Sequence, residues 1–155
     1  MSTFNSLAQD FLSQKRIAVA GVSRNTQQTA NMIYKTFRDK GYKVFAINPN
    51  ADTLEGDPVY PNLQSIPGGA DGVLIVTKPE LTDQIVRDAV EASVPRVWMH
   101  NSTFAGSSAS ETAIQYGREN GLTVISGGCP MMFFDFGHKC MKWVLGAMGR
   151  LPDGK

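Results

Sequence analysis

Gly21-Val22-Ser23-Arg24 follows directly on the apolar run Ile17-Ala18-Val19-Ala20. Glycine permits a tight turn and lets a ligand approach the backbone. A helix that begins just beyond such a turn aims free N–H groups and a positive dipole end at an anion. The stretch from Thr29 to Lys40, with Ile33 and Phe37 one turn apart, supplies that helix. The chemistry written here is the cradling of a diphosphate. A βα turn that binds nothing shares the local pattern, so the other strand ends must be weighed with it. On this reading Gly21→Val is expected to remove binding and leave the fold intact.

In open α/β sheets ligands sit beyond the carboxyl ends of the strands. Four further apolar runs end in Asn48-Pro49-Asn50, in Thr77-Lys78-Pro79, in His100-Asn101-Ser102-Thr103 and in Ser126-Gly127-Gly128-Cys129-Pro130. These ends are rich in Gly, Ser, Thr, Asn and Pro, carry the cations Arg24 and Lys78, and contain no carboxylate. That composition suits a phosphorylated anion. An NAD site usually sets Asp or Glu at the end of the second strand to hold the ribose hydroxyls. Here Asn48 and Pro49 stand there, and the Gly-x-Gly-x-x-Gly spacing is incomplete.

The elements that carry these ends alternate along the chain. Strands are expected at 17–20, 43–47, 72–76, 96–99 and 122–125, each short and apolar on both faces, as buried parallel strands are. Helices are expected at Thr29–Lys40, Pro79–Ala92 and from a Ser108-x-x-Glu111 capping box to about Asn120. An amphipathic helix over 1–14 and a C-terminal helix within 131–150, about Phe134 to Met148, complete the set. The stretch 48–69 reads as loop with a short extended piece near Val59–Tyr60. The order predicts an α/β, Rossmann-like, doubly wound and mostly parallel five-stranded sheet with helices on both faces, in one domain spanning 1–155.

The 155 residues carry a net charge of +1, so the footprint of a nucleic-acid binder is missing. Apolar runs are too short to span a bilayer, and the N-terminus does not read as a secretory signal. Cys129 and Cys140 are therefore expected as reduced thiols in a cytoplasmic protein. Cys129, His138 and Cys140 do not form a metal set: the last two face different sides of a helix and a fourth ligand is missing. Cys129 near a helix start, with its pKa lowered, could pair with His100 for nucleophilic chemistry, but no third group orients the imidazole. A small core residue is the simpler role for the thiol. Met131-Met132-Phe133-Phe134 and the apolar residues after them pack a core, or form a homodimer contact.

The segments IAVAGVSR, GYKVFAINPN, GVLIVTKPE, RVWMHNSTF and GLTVISGGCPMMFF, in this order, resemble the small CoA-binding protein family. They are also similar to the N-terminal CoA-binding domain of the succinyl-CoA synthetase alpha subunit. The resemblance implies coenzyme A or an acyl-CoA as ligand. Gly21, Val22, Ser23 and Arg24 would hold phosphate, Asn48 and Pro49 would border the adenosine, and Thr77, Lys78 and Pro79 would line the middle of the groove. Asn101 and Cys129 join the candidate set at the remaining strand ends. His100-Asn101-Ser102 departs from the acidic, glycine-containing turn of the synthetases, and their phosphorylated histidine belongs to a second domain, so ligase activity is not inherited. Two other readings stand beside this one: an NAD(P)-binding redox protein, and a small enzyme acting on an acyl-CoA through Cys129 and His100.

Overall fold

The computed structural model describes residues 3–102 and 106–133. Helix α1 (Phe4–Leu12) leads into β1 (Arg16–Ala20), α2 (Thr29–Asp39) and β2 (Lys43–Ile47). The short strands β3 (Thr53–Leu54) and β4 (Asp57–Tyr60) follow, then β5 (Gly72–Ile75), α3 (Pro79–Glu91) and β6 (Arg96–Met99). A small hairpin of β7 (Asn101–Ser102) and β8 (Gly106–Ser107) precedes α4 (Glu111–Glu119) and β9 (Thr123–Ser126). Single 3-10 turns lie at Leu63–Ser65 and Pro130–Phe133. The expected helix over 131–150 falls, apart from that last turn, outside the described residues, as do His138 and Cys140.

The main sheet has seven strands, in the order β3-β4-β2-β1-β5-β6-β9, rather than five. Six are parallel, and β3 runs antiparallel to β4. The added parallel strand, β4, contains the short extended piece expected near Val59–Tyr60, which the five-strand count left out of the sheet. Only Ala46↔Val59 and Ile47↔Tyr60 pair it with β2, and Asp57 and Pro58 hide so short a run among loop residues. The chain builds from β1 outward through β2 to β4, then returns to build from β5 through β6 to β9. The reversal lies between β1 and β5, where a doubly wound sheet opens its crevice.

Alternation along each strand divides the core. Ile17, Val19, Ala46, Leu74, Trp98 and Ile125 face α1 and α2. Ala18, Ala20, Phe45, Ile47, Val73, Ile75, Val97 and Val124 face α3 and α4. Both faces are therefore covered, and buried parallel strands read as continuous apolar runs for that reason. Trp98 anchors the first face. Its ring meets Phe4 and Phe11 edge-on at 5.9 and 5.3 Å, and its indole N–H donates to Gly127 O at 2.9 Å. Burial of such a side chain contributes about 1.5–3 kcal/mol, and the satisfied N–H avoids the cost of a stranded donor.

Candidate functional site

A cleft of about 980 Å³ opens over the carboxyl ends of β1, β2 and β5. This lies near the upper end of the roughly 300–1,000 Å³ range of small-molecule and cofactor sites. Its floor is the first turn, where Gly21 has φ +113°. A Cβ built there would lie 2.1 Å from Val76 O and 3.3 Å from the Ala30 Cβ. The fold itself therefore requires glycine at this position. The expectation that Gly21→Val spares the fold is corrected: β1 turns against β5 too closely for any side chain.

Two helices begin at the rim. At α2 the N-cap is Gln28 and at α3 it is Lys78, and neither side chain caps its helix. The N–H groups that open a helix lack an i−4 carbonyl by geometry, though Leu81 N–H in α3 turns back to Lys78 O at 3.0 Å, and the helix dipoles place partial positive charge at the cleft. Pro79 removes one donor from the start of α3 at no cost. Lys78 is exposed and has no ion-pair partner among the described residues.

Of the residues singled out in the sequence, Gly21, Val22, Asn48, Pro49, Thr77, Lys78 and Pro79 line this cleft. Ser23, Arg24, Asn101 and Cys129 do not line it. The Arg24 guanidinium donates to Asn50 O at 2.7 Å, and the Asn48 amide donates to Val22 O at 3.0 Å while its oxygen accepts from Asn50 N–H at 2.8 Å. Both side chains thus lace the first strand's turn to the second's. Asn101 is exposed in β7 and gives its N–H to Gly128 O at 3.0 Å.

Cys129 is buried under the α1 side of the sheet, and burial pushes its thiol above the ordinary range despite a hydrogen bond from the Met131 N–H. The expectation of a lowered pKa is overturned, because the apolar surroundings outweigh that single donor. His100 is 1% exposed, and burial lowers it to about 4. Its Nε2 has no hydrogen-bond partner among the described residues. No cluster of three metal-ligating side chains occurs among the described residues.

Several cleft residues escaped the sequence reading. Leu81, Gln84, Ile85 and Asp88 extend one wall along α3, with Ile47 and Pro61 opposite. Their spacing of i, i+3, i+4 and i+7 puts them on one face of the helix, but spacing alone does not say that the face looks onto a cavity. Asp88 is the carboxylate of this wall, and it already accepts from Gln84 Nε2 at 2.9 Å and Gln64 Nε2 at 3.3 Å. The β8 end brings in Gly106, Ser107 and Ser108. Ser108 does not cap α4, which starts from Ser110. Instead its hydroxyl accepts from Thr77 N–H at 2.9 Å and donates to Thr77 O at 2.6 Å. The buried Thr82 hydroxyl donates to Ser108 O at 2.7 Å. These bonds hold the hairpin exit against the end of β5, forming the third side of the cleft.

Residues 15–135 match the family model described as CoA binding domain. An uncharacterized protein of Bacillus subtilis, YneT, is 30% identical over 115 residues, covering 74% of this chain and 82% of that protein. A hypothetical protein from Pyrococcus horikoshii OT3 superposes with a TM-score of 0.75 at 26% identity, over 84% of this chain and 88% of that one. The ADP-forming acetate–CoA ligase I of Archaeoglobus fulgidus is 25% identical over 120 residues, but these cover only 18% of that enzyme against 74% of this chain. The chain belongs to the CoA binding domain family.

Proposed function

We propose that this member of the CoA binding domain family binds coenzyme A or an acyl-CoA, with the nucleotide end in the cleft over β1, β2 and β5. The observation that carries the reading is the pair of helix starts at the rim. Helices α2 and α3 both lack side-chain caps, and both border a cavity whose strand-end residues include no carboxylate among those described. A diphosphate is the chemistry that two such helix ends favour, and Lys78 adds an exposed cation at the mouth. Gly21 lets the first turn close against Val76 O and so sets the floor of the cleft.

Gly21, Val22, Asn48, Pro49, Thr77, Lys78 and Pro79 form the contact set. Ser23 and Arg24 shape the first turn, and Asn101 and Cys129 stand away from the cavity. Asn48 favours CoA over NAD(P), since a neutral amide already engaged with Val22 and Asn50 replaces the usual ribose-binding acid. Catalysis through Cys129 and His100 is disfavoured. The thiol is held protonated and the imidazole neutral at pH 7 by burial, and neither lines the cleft. On this reading the protein acts as a CoA binder and not through Cys129 and His100.

Calorimetric titration with CoA, acetyl-CoA and NAD tests this. CoA or its acetyl thioester is expected to bind with NAD much weaker. Clear NAD binding with none for CoA would refute the reading. Cys129→Ser in reducing buffer is expected to leave CoA affinity unchanged.

A further inference from the structure

Asn31 sits in α2 and is fully buried. Its Oδ1 accepts from Ser23 N–H at 3.0 Å, and its Nδ2 donates to Ser23 O at 2.7 Å. One carboxamide thus grips both sides of Ser23 in the first turn. The second Nδ2 hydrogen goes to Glu55 Oε1 at 3.3 Å. Glu55 occupies the corner between β3 and β4 at φ +53°, with its side chain only 7% exposed. Lys35 Nζ lies 3.5 Å from its other oxygen, and Arg38 donates to its backbone O at 2.7 Å. Asn31, Lys35 and Arg38 fall at i, i+4 and i+7, one stripe of α2. The stripe therefore joins the distant hairpin corner to the ligand turn.

The arrangement dictates which donors remain for a ligand. Asn31 occupies the Ser23 N–H. Asn25 N–H donates to Ser23 Oγ, Gln27 N–H to Asn25 Oδ1 and Gln28 N–H to Asn25 O. The loop folds upon itself and leads into the start of α2, where no side chain caps the helix. A reversed Asn31 amide would set its oxygen against Ser23 O and against the Glu55 carboxylate, so Glu55 holds the amide in the gripping orientation.

We propose that Asn31 and Glu55 are positioning residues for the diphosphate: Glu55 fixes which way the Asn31 amide faces, and Asn31 fixes the Ser23 turn so that the start of α2 is presented to phosphate. The proposal rests on the CoA reading of the cleft. It makes phosphate affinity depend on a hairpin corner that lines no part of the cavity.

The test titrates the full chain with ADP and with adenosine, and follows amide hydrogen exchange at Ser23. Asn31→Asp keeps the acceptor for Ser23 N–H but sets a carboxylate against Ser23 O and Glu55. It is expected to weaken ADP at least tenfold and adenosine less than twofold. Adding Glu55→Gln should recover part of the ADP affinity, because the new amide can donate to the new carboxylate. Glu55→Gly relieves the positive φ, so it is expected to keep the melting temperature while weakening ADP about threefold. Ser23 should exchange slowly in the wild type and quickly in Asn31→Ala. Equal losses for ADP and adenosine, or unchanged ADP affinity across the folded variants, would overturn the proposal. A wild type that protects Ser23 but binds neither ADP nor CoA would sink the CoA reading itself, and this role with it.

Discussion

Helices α2, α3 and α4 all begin beyond the carboxyl edge of the sheet, yet they begin differently. Helix α4 is closed by its own chain. Ser110 caps it by accepting from Ala113 N–H, and Asp83 accepts from the Ser110 and Thr112 hydroxyls at 2.7 and 2.8 Å. A resident carboxylate thus stands where the helix dipole asks for negative charge. Helices α2 and α3 have neither a cap nor an acid there, apart from the exposed Glu80 beyond Pro79. One half of the edge satisfies itself, while in the other the start of α2 leaves about 0.3–1 kcal/mol unclaimed. An anionic ligand can claim it.

The largest test of this contrast is structural. Gly21→Val should cost roughly 3 kcal/mol or more, combining a left-handed strain of about 1–2 kcal/mol with overpacking of about 1–3 kcal/mol. Thermal melts followed by circular dichroism would read it. A fully folded variant would mean that the open half is not built on this close approach.

The closed half holds the buried His100, whose titration gives the second test. Its folded value of about 4 lies below the unfolded value of about 6.5. The unfolded chain therefore takes up the proton first, and the stability owed to the neutral imidazole is complete above pH 6.5 and declines as pH falls toward 4. Between pH 6.5 and 5 the loss should reach about 2 kcal/mol, at 1.36 kcal/mol per pH unit. Denaturant titrations across that interval should show the slope, and His100→Gln should flatten it.

The third test closes the open half artificially. Gln28→Asp would give α2 the cap and charge that it lacks. The free protein should gain about 0.5–1 kcal/mol, while CoA affinity falls roughly tenfold because a fixed carboxylate faces the phosphates. Opposite movement of melting temperature and affinity is the signature. If both rise, the start of α2 does not meet the phosphate.

The smallest effect comes from opening the closed half. Hydrogen bonds from Ser110 and Thr112 hold the Asp83 carboxyl below the usual range. Its contribution is present above about pH 4 and is lost as pH falls through the lower folded value. Because the group is solvent-screened, Asp83→Asn should cost only a few tenths of a kcal/mol at pH 7. CoA affinity should not change.

Much of this was legible in the residues, for reasons that differ from place to place. The strands β1, β2, β5, β6 and β9 announce themselves because strands buried on both faces must be apolar throughout. The first turn is legible because backbone close to backbone demands glycine at Gly21. Strand β4 was legible only as an extended piece near Val59–Tyr60 and not as a member of the sheet, since two paired residues leave no period to detect. Nor was the role of Arg24 and Asn48: a cation and an amide at strand ends look alike whether they meet a ligand or, as here, lace two turns together. Asn31 was invisible, and Ser108 was taken for a helix cap, because their backbone partners lie distant in sequence or across a turn and pattern along the chain carries no record of them.

The pairing of β1 with β5 has a kinetic consequence. Ile17 lies beside Gly72, a wider separation in sequence than any other pairing in the main sheet, whereas β1 meets β2 after a single helix and β5 meets β6 likewise. Contacts between distant residues carry the greater loop-closure entropy and tend to form slowly. Two half-sheets can assemble locally before they join, and the seam along which they join is the floor of the cleft. Refolding protein should therefore recover its helical signal before its capacity to bind, and a ligand spanning the seam would slow the separation of the halves.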